Sequence, residues 1–143
     1  MPSRDRPAYL LKICLLGQGA VGKTCLAQRL CYNTFSSSTK LTIGIDFYSY
    51  DLPIIMNGKE DCVKLSIWDF GGQIPFRKFF PYYIDGAAGI FMCFSLINNQ
   101  TMLALDWWYD KLLKHGQRDT PRILIGTKND LVYLSKNFSQ KCL

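Results

Sequence analysis

A chain of 143 residues, 48% hydrophobic and 20% charged, has the size and balance of one globular domain with a single core. Its net charge of +6 comes from scattered Lys and Arg with no block of five like charges, which argues against nucleic acid and leaves a basic surface weakly favouring acidic partners or anionic lipid. No run approaches the ~18 apolar residues of a membrane helix and no signal-type apolar stretch follows Met1 to Pro7, so a cytoplasmic protein is expected.

Residues 1–8 read as a flexible N-terminal segment and 9–143 as one domain. Ala8 to Leu16 is an apolar run broken only by Lys12, as expected of a strand buried on both faces. It leads into Gly17-Gln18-Gly19-Ala20-Val21-Gly22-Lys23-Thr24, and Lys23 to Asn33 then reads as a helix with Leu26 and Leu30 one turn apart. Ile45 to Ile55 and Cys62 to Asp69 are strands separated by the turn signal Asn57-Gly58. Gly89 to Leu96 is a further strand. A helix follows from about Thr101 to His115, with Met102, Leu105, Tyr109 and Leu112 at helical spacing and Thr101 as its expected cap. Arg122 to Thr127 is the final strand. Strands alternating with helices after a hairpin predict an α/β fold, a mostly parallel sheet with helices on both faces. The six cysteines (Cys14, Cys25, Cys31, Cys62, Cys93, Cys142) form no C-x-x-C pair and have no histidine near metal spacing, so reduced, mostly buried thiols are expected.

Loops beginning near Gly17, Asp69 and Thr127 all follow strands and so share the edge where such sheets bind nucleotides. The first matches G-x-x-x-x-G-K-[ST] in its strand–loop–helix setting. Gly17, Gly19, Ala20, Val21 and Gly22 would curl the backbone so that N–H groups meet phosphate oxygens, helped by the helix N-terminus. Lys23 would neutralise β- and γ-phosphates, and Thr24 would give its hydroxyl to Mg²⁺. Asp69 closes a strand where its carboxylate can hold Mg²⁺, directly or through water. Gly72 would let a backbone N–H approach the γ-phosphate, and Gln73 could orient an attacking water. In Thr127-Lys128-Asn129-Asp130, the Asp130 carboxylate can accept two parallel hydrogen bonds from guanine, which adenine cannot offer. Read alone, Lys128 to Asp130 also fits a solvated turn.

Together these residues resemble a small GTPase of the Ras superfamily, over roughly Leu10 to Leu131. Thr42-Ile43-Gly44-Ile45-Asp46-Phe47, Lys64 to Asp69, and Tyr82-Tyr83-Ile84-Asp85-Gly86-Ala87 are most similar to the Rab branch. The resemblance implies a P-loop NTPase fold and a Mg²⁺-dependent GTP/GDP switch with slow hydrolysis, acting in vesicle trafficking or signalling. It makes Thr42 a Mg²⁺ ligand that senses the γ-phosphate, places Phe35 against guanine, and gives Thr127 and Lys128 to the base loop. Phe76 and Arg77 match a second-switch segment that contacts partners. The implied partners are a nucleotide exchange factor, a GTPase-activating protein and effectors, all reading the two switch loops.

The sequence departs from the family pattern in places. Gly71-Gly72 resembles the Arf branch, Ile74-Pro75 replaces a charged pair, and Thr127 stands where asparagine is commonest. The family's last strand, base-contacting loop and final helix have no counterpart after Asp130, which leads to the expectation of an incomplete domain. The prenylation pattern is absent, which leaves only peripheral membrane association open. The competing reading is a truncated domain that binds nucleotide weakly and acts as a non-catalytic interaction module. An ATPase is disfavoured by Asp130.

Overall fold

The computed structural model describes residues 6–37 and 40–133. Most of the lead-in expected over 1–8, Cys142, and everything after Tyr133 lie outside the described residues. Five strands form one sheet in the order β2-β3-β1-β4-β5. They are β1 (Tyr9–Leu16), β2 (Ile45–Met56), β3 (Lys59–Phe70), β4 (Gly89–Ser95) and β5 (Arg122–Thr127). Only β2 and β3 pair antiparallel; β1 pairs parallel with β3 and β4, and β4 parallel with β5. The hairpin turns at Asn57 and Gly58, whose φ angles of 51° and 74° give the left-handed pair that matches strand twist.

Both faces of the sheet are covered, as the alternating side chains of β1 require. Cys14 and Leu16 point into a core with Phe70, Phe80, Tyr83, Trp108 and Leu112. Leu15 points the other way, to Ile67 and Ala27 of α1 (Lys23–Tyr32). The first core is roofed by α2 (Phe80–Ile84) and α4 (Leu105–Lys114), with α3 (Asn99–Leu103) leading into α4. A 3₁₀ turn over Ile74–Phe79 precedes α2. Neither the turn nor α2 has a clear period in the sequence.

Four expectations are corrected. Only the C-terminal half of β1 is buried on both faces, since Tyr9, Leu10 and Leu11 are exposed. The helix expected from Thr101 to His115 is two helices meeting at Ala104. Its cap is Asn98, whose side chain accepts the Gln100 N–H at 3.1 Å. Thr101 is buried instead, accepting from the Ser95 N–H at 2.8 Å and donating to the Asn98 carbonyl at 2.6 Å. Two of the five described cysteines, Cys14 and Cys93, are buried and three are half-buried; none of the five is in a disulfide. No described helix is long and apolar enough to cross a membrane.

Candidate functional site

The parallel register brings the C-terminal ends of β1, β3, β4 and β5 to one edge, with Leu15 beside Asp69 and Ser95 beside Thr127. The loop after β1 curls there because Gly17, Ala20 and Gly22 hold φ at 147°, 64° and 102°. Gly17 is required on a second ground: a Cβ would lie 2.3 Å from the Cys93 carbonyl oxygen. Gly22 begins α1 with no side-chain cap and no acidic residue in the first turn. The opening amides of that helix are therefore left for an anion. Val21 is buried and offers only backbone; its carbonyl accepts the Thr127 hydroxyl.

Lys23 is 6% exposed, and its ammonium donates to the carbonyls of Gly17 at 3.0 Å and Gln18 at 2.9 Å. Burial pushes its pKa down, while the charge of Asp69 raises it. Asp69 is fully buried, and there the pKa is raised, again by burial, against bonds from Thr24 and Thr42 and the charge of Lys23. Thr24 donates to Asp69 Oδ2, Thr42 lies 3.3 Å from that oxygen, and the two threonine hydroxyls are 2.8 Å apart. Asp69 Oδ1 is buried with no hydrogen-bond partner.

This cluster fits a magnesium ion. A hard cation takes oxygen ligands, commonly one carboxylate with hydroxyls, waters and phosphates. Here a carboxylate and two hydroxyls converge, and the orphaned Oδ1 would otherwise cost on the order of 1–3 kcal/mol. The two pKa shifts have signs that incoming opposite charge reverses: a cation favours ionised Asp69, and a phosphate favours charged Lys23. Among the described residues no group of three His, Cys, Asp or Glu gathers to hold a metal on protein ligands alone.

A cavity of about 500 Å³ runs from this cluster outward. Its near end holds Lys23, Thr24, Thr42, Gly72 and Gln73. Gly72 presses on the first loop so closely that a Cβ would sit 2.2 Å from the Gly17 carbonyl oxygen. Phe35 and the loop residues Thr127, Lys128 and Asp130 line the rest of it. Thr127 also donates to the Phe94 carbonyl at 2.9 Å, and Lys128 Nζ donates to the Ala20 carbonyl at 2.8 Å. These bonds fasten the loop after β5 to the loop after β1. Gly17 and Val21 do not line the cavity; every other expected site residue except Asp69 does, and Asp69 sits beneath it through Thr24 and Thr42.

Sequence reasoning missed Tyr83. Its hydroxyl, fully buried, accepts the Leu15 N–H at 2.8 Å, and its proton faces the carbonyls of Leu15 and Trp68. One side chain from α2 thus ties the strand feeding the glycine loop to the strand ending in Asp69. Nothing in the dipeptide Tyr82-Tyr83 distinguishes which ring turns inward; only the register of α2 decides it.

A strand, glycine loop and helix that place a buried lysine and an acid–threonine cluster in one cavity define a P-loop domain. The family description "Ras of Complex, Roc, domain of DAPkinase" matches residues 12–130, and the chain belongs to this Roc/Ras-like GTPase domain family. It is 38% identical to Ras-related protein RABA5e of Arabidopsis thaliana over 126 residues, 88% of this chain and 56% of that one. It is 35% identical to Ras-related protein Rab-8B of Homo sapiens over 136 residues, 93% of this chain and 64% of the relative. Ras-related protein SEC4 of Saccharomyces cerevisiae is 35% identical over 122 residues, 85% and 55%. The chain spans about half the length of the curated relatives it matches, and somewhat more of Rab-8B.

Proposed function

We propose that this chain is a GTP-binding switch of Rab type that hydrolyses GTP slowly and works with an exchange factor, an activating protein and effectors in vesicle trafficking or signalling. The observation that carries the reading is the convergence of Thr24, Thr42 and the half-satisfied Asp69 beside buried Lys23. In this reading Lys23 and the amides after Gly17 hold the β- and γ-phosphates. Thr24, Thr42 and Asp69 hold Mg²⁺, which when bound neutralises charge on the phosphates. Thr42 comes from the first loop and Gly72 from the second, so a γ-phosphate draws both loops to the cavity and its loss frees them. Gln73 orients the attacking water, and Asp130 selects guanine while Phe35 covers the base. A cytoplasmic location with peripheral membrane contact accords with this role.

The test is a titration with fluorescent GDP, with and without Mg²⁺ and with ATP as competitor. Saturable binding is expected, with a loss of roughly 100-fold in Lys23→Ala, about two charge-assisted contacts. Asp130→Ala should erase the preference for GDP over ATP. An absence of saturable binding in the parent would instead favour the interaction module, a reading that the 65% exposure of Phe35 keeps in view. In single-turnover measurements Gln73→Leu should slow GTP hydrolysis at least ~10-fold; an unchanged rate removes Gln73 from the mechanism.

A further inference from the structure

The 3₁₀ turn, the start of α2 and one face of α4 with its C-cap His115 line a second pocket of about 350 Å³ that shares no lining residue with the nucleotide cavity. Its ionisable lining is wholly basic: Arg77, Lys78, Lys111 and His115, set between Phe80 and Trp107. Trp107, Lys111 and His115 recur every four residues and so share a face of α4, while Asp106 and Asp110 do not line the pocket. The Arg77 guanidinium stacks 4.2 Å from the centre of the Trp107 ring, and Lys111 Nζ lies 5.2 Å from the same ring. Phe80 flanks His115 at 5.6 Å.

These cations lack counter-ions. Among the described residues no carboxylate lies within ion-pair distance of Arg77, Lys78 or Lys111, and Arg77 Nε is buried with no hydrogen-bond partner. Stacking on Trp107 holds the guanidinium plane in place and fixes the direction of its donors. A carboxylate is the group that would satisfy that fork and relieve the repulsion among the gathered cations. The remaining wall is Phe80, Pro81 and Trp107, which asks for an apolar neighbour to the carboxylate. A lipid headgroup offers only polar surface at that depth, whereas a peptide offers both.

We propose that this pocket docks an acidic segment of a protein partner, with a Glu or Asp carboxylate on Arg77 and an adjacent apolar side chain against Trp107. The proposal stands apart from the nucleotide reading, because the two cavities share no residue. It gives the partner-contacting second loop a defined chemistry.

The probe is a fluorescein-labelled peptide of alternating glutamate and leucine, followed by anisotropy, with its glutamine counterpart as control. The parent should bind the glutamate peptide saturably and at least ~10-fold more tightly than the glutamine one, with affinity falling as salt rises. Arg77→Ala and the double variant Lys78→Glu/Lys111→Glu should each weaken binding at least ~10-fold while keeping the parent's circular dichroism. Equal binding by parent and charge-reversed protein overturns the proposal, as does no binding by the parent. So does a result in which phosphoinositide vesicles, and not the peptide, bind the parent and lose the charge-reversed protein.

Discussion

The two ends of the nucleotide cavity are built differently. At the phosphate end Asp69 is fully buried and Lys23 is 6% exposed, and Gly17 lies against the Cys93 carbonyl and Gly72 against the Gly17 carbonyl with no room for a Cβ. At the base end Phe35 is 65% exposed, and the loop is held by two side-chain anchors, Thr127 and Lys128. The first end is a product of core packing, so disturbing it disturbs the fold. The second is fastened from outside and can be retuned alone. Under the proposed function, affinity then resides at the phosphate end and base selection at the other.

The largest expected effect tests that claim at Gly17. Gly17→Ala forces a Cβ into the Cys93 carbonyl at a φ that L-residues rarely adopt, and should cost about 3 kcal/mol of stability in urea unfolding. A variant as stable as the parent would show that the phosphate loop is not part of the core.

Alkaline pH reaches the same foundation more gently. Burial raises the thiols of Cys14 and Cys93 from an ordinary 9.0 to about 12. Below pH 9 both states hold these protons and nothing changes. Between 9 and 12 only the unfolded chain releases them, so stability falls as pH rises, by about 3 kcal/mol at pH 10 for the pair. Comparing urea midpoints of the parent and a Cys14→Ala/Cys93→Ala protein at pH 8 and 10 isolates this loss, which the double variant should lack.

The smallest effect belongs to the base end. Thr127→Val removes the bonds to Phe94 and Val21 but leaves the strand, and should weaken fluorescent GDP binding by roughly 3-fold with little change in melting temperature. A loss as large as that of Lys23→Ala would erase the contrast between the two ends.

What the sequence discloses follows the same division. The glycine loop, Lys23 and Thr24 were legible because their spacing is fixed by the strand–loop–helix unit that carries them, Asp69 because it is an acid closing the apolar run of β3, and the hairpin because Asn57-Gly58 has one favoured geometry. Thr101 was misread because a threonine before a helical period looks like a cap, while its burial against Ser95 depends on where β4 ends. The stacking of Arg77 on Trp107 joins elements thirty residues apart, and no local period encodes it. The 3₁₀ turn is invisible for a related reason: Ile74 to Phe79 buries no residue, so no apolar spacing marks it.

The hydroxyl of Tyr83 has a mechanical consequence. Bonded to both Leu15 and Trp68, it pins α2 to two central strands, so rearrangement of the second loop cannot travel down the chain past it without breaking a buried network. Under the proposed function residues 71–79 are the segment that moves and Tyr83 is the pin that stops it. Amide exchange should therefore split sharply within about one helical turn, fast before Phe80 and slow through Ile84, whichever nucleotide is added.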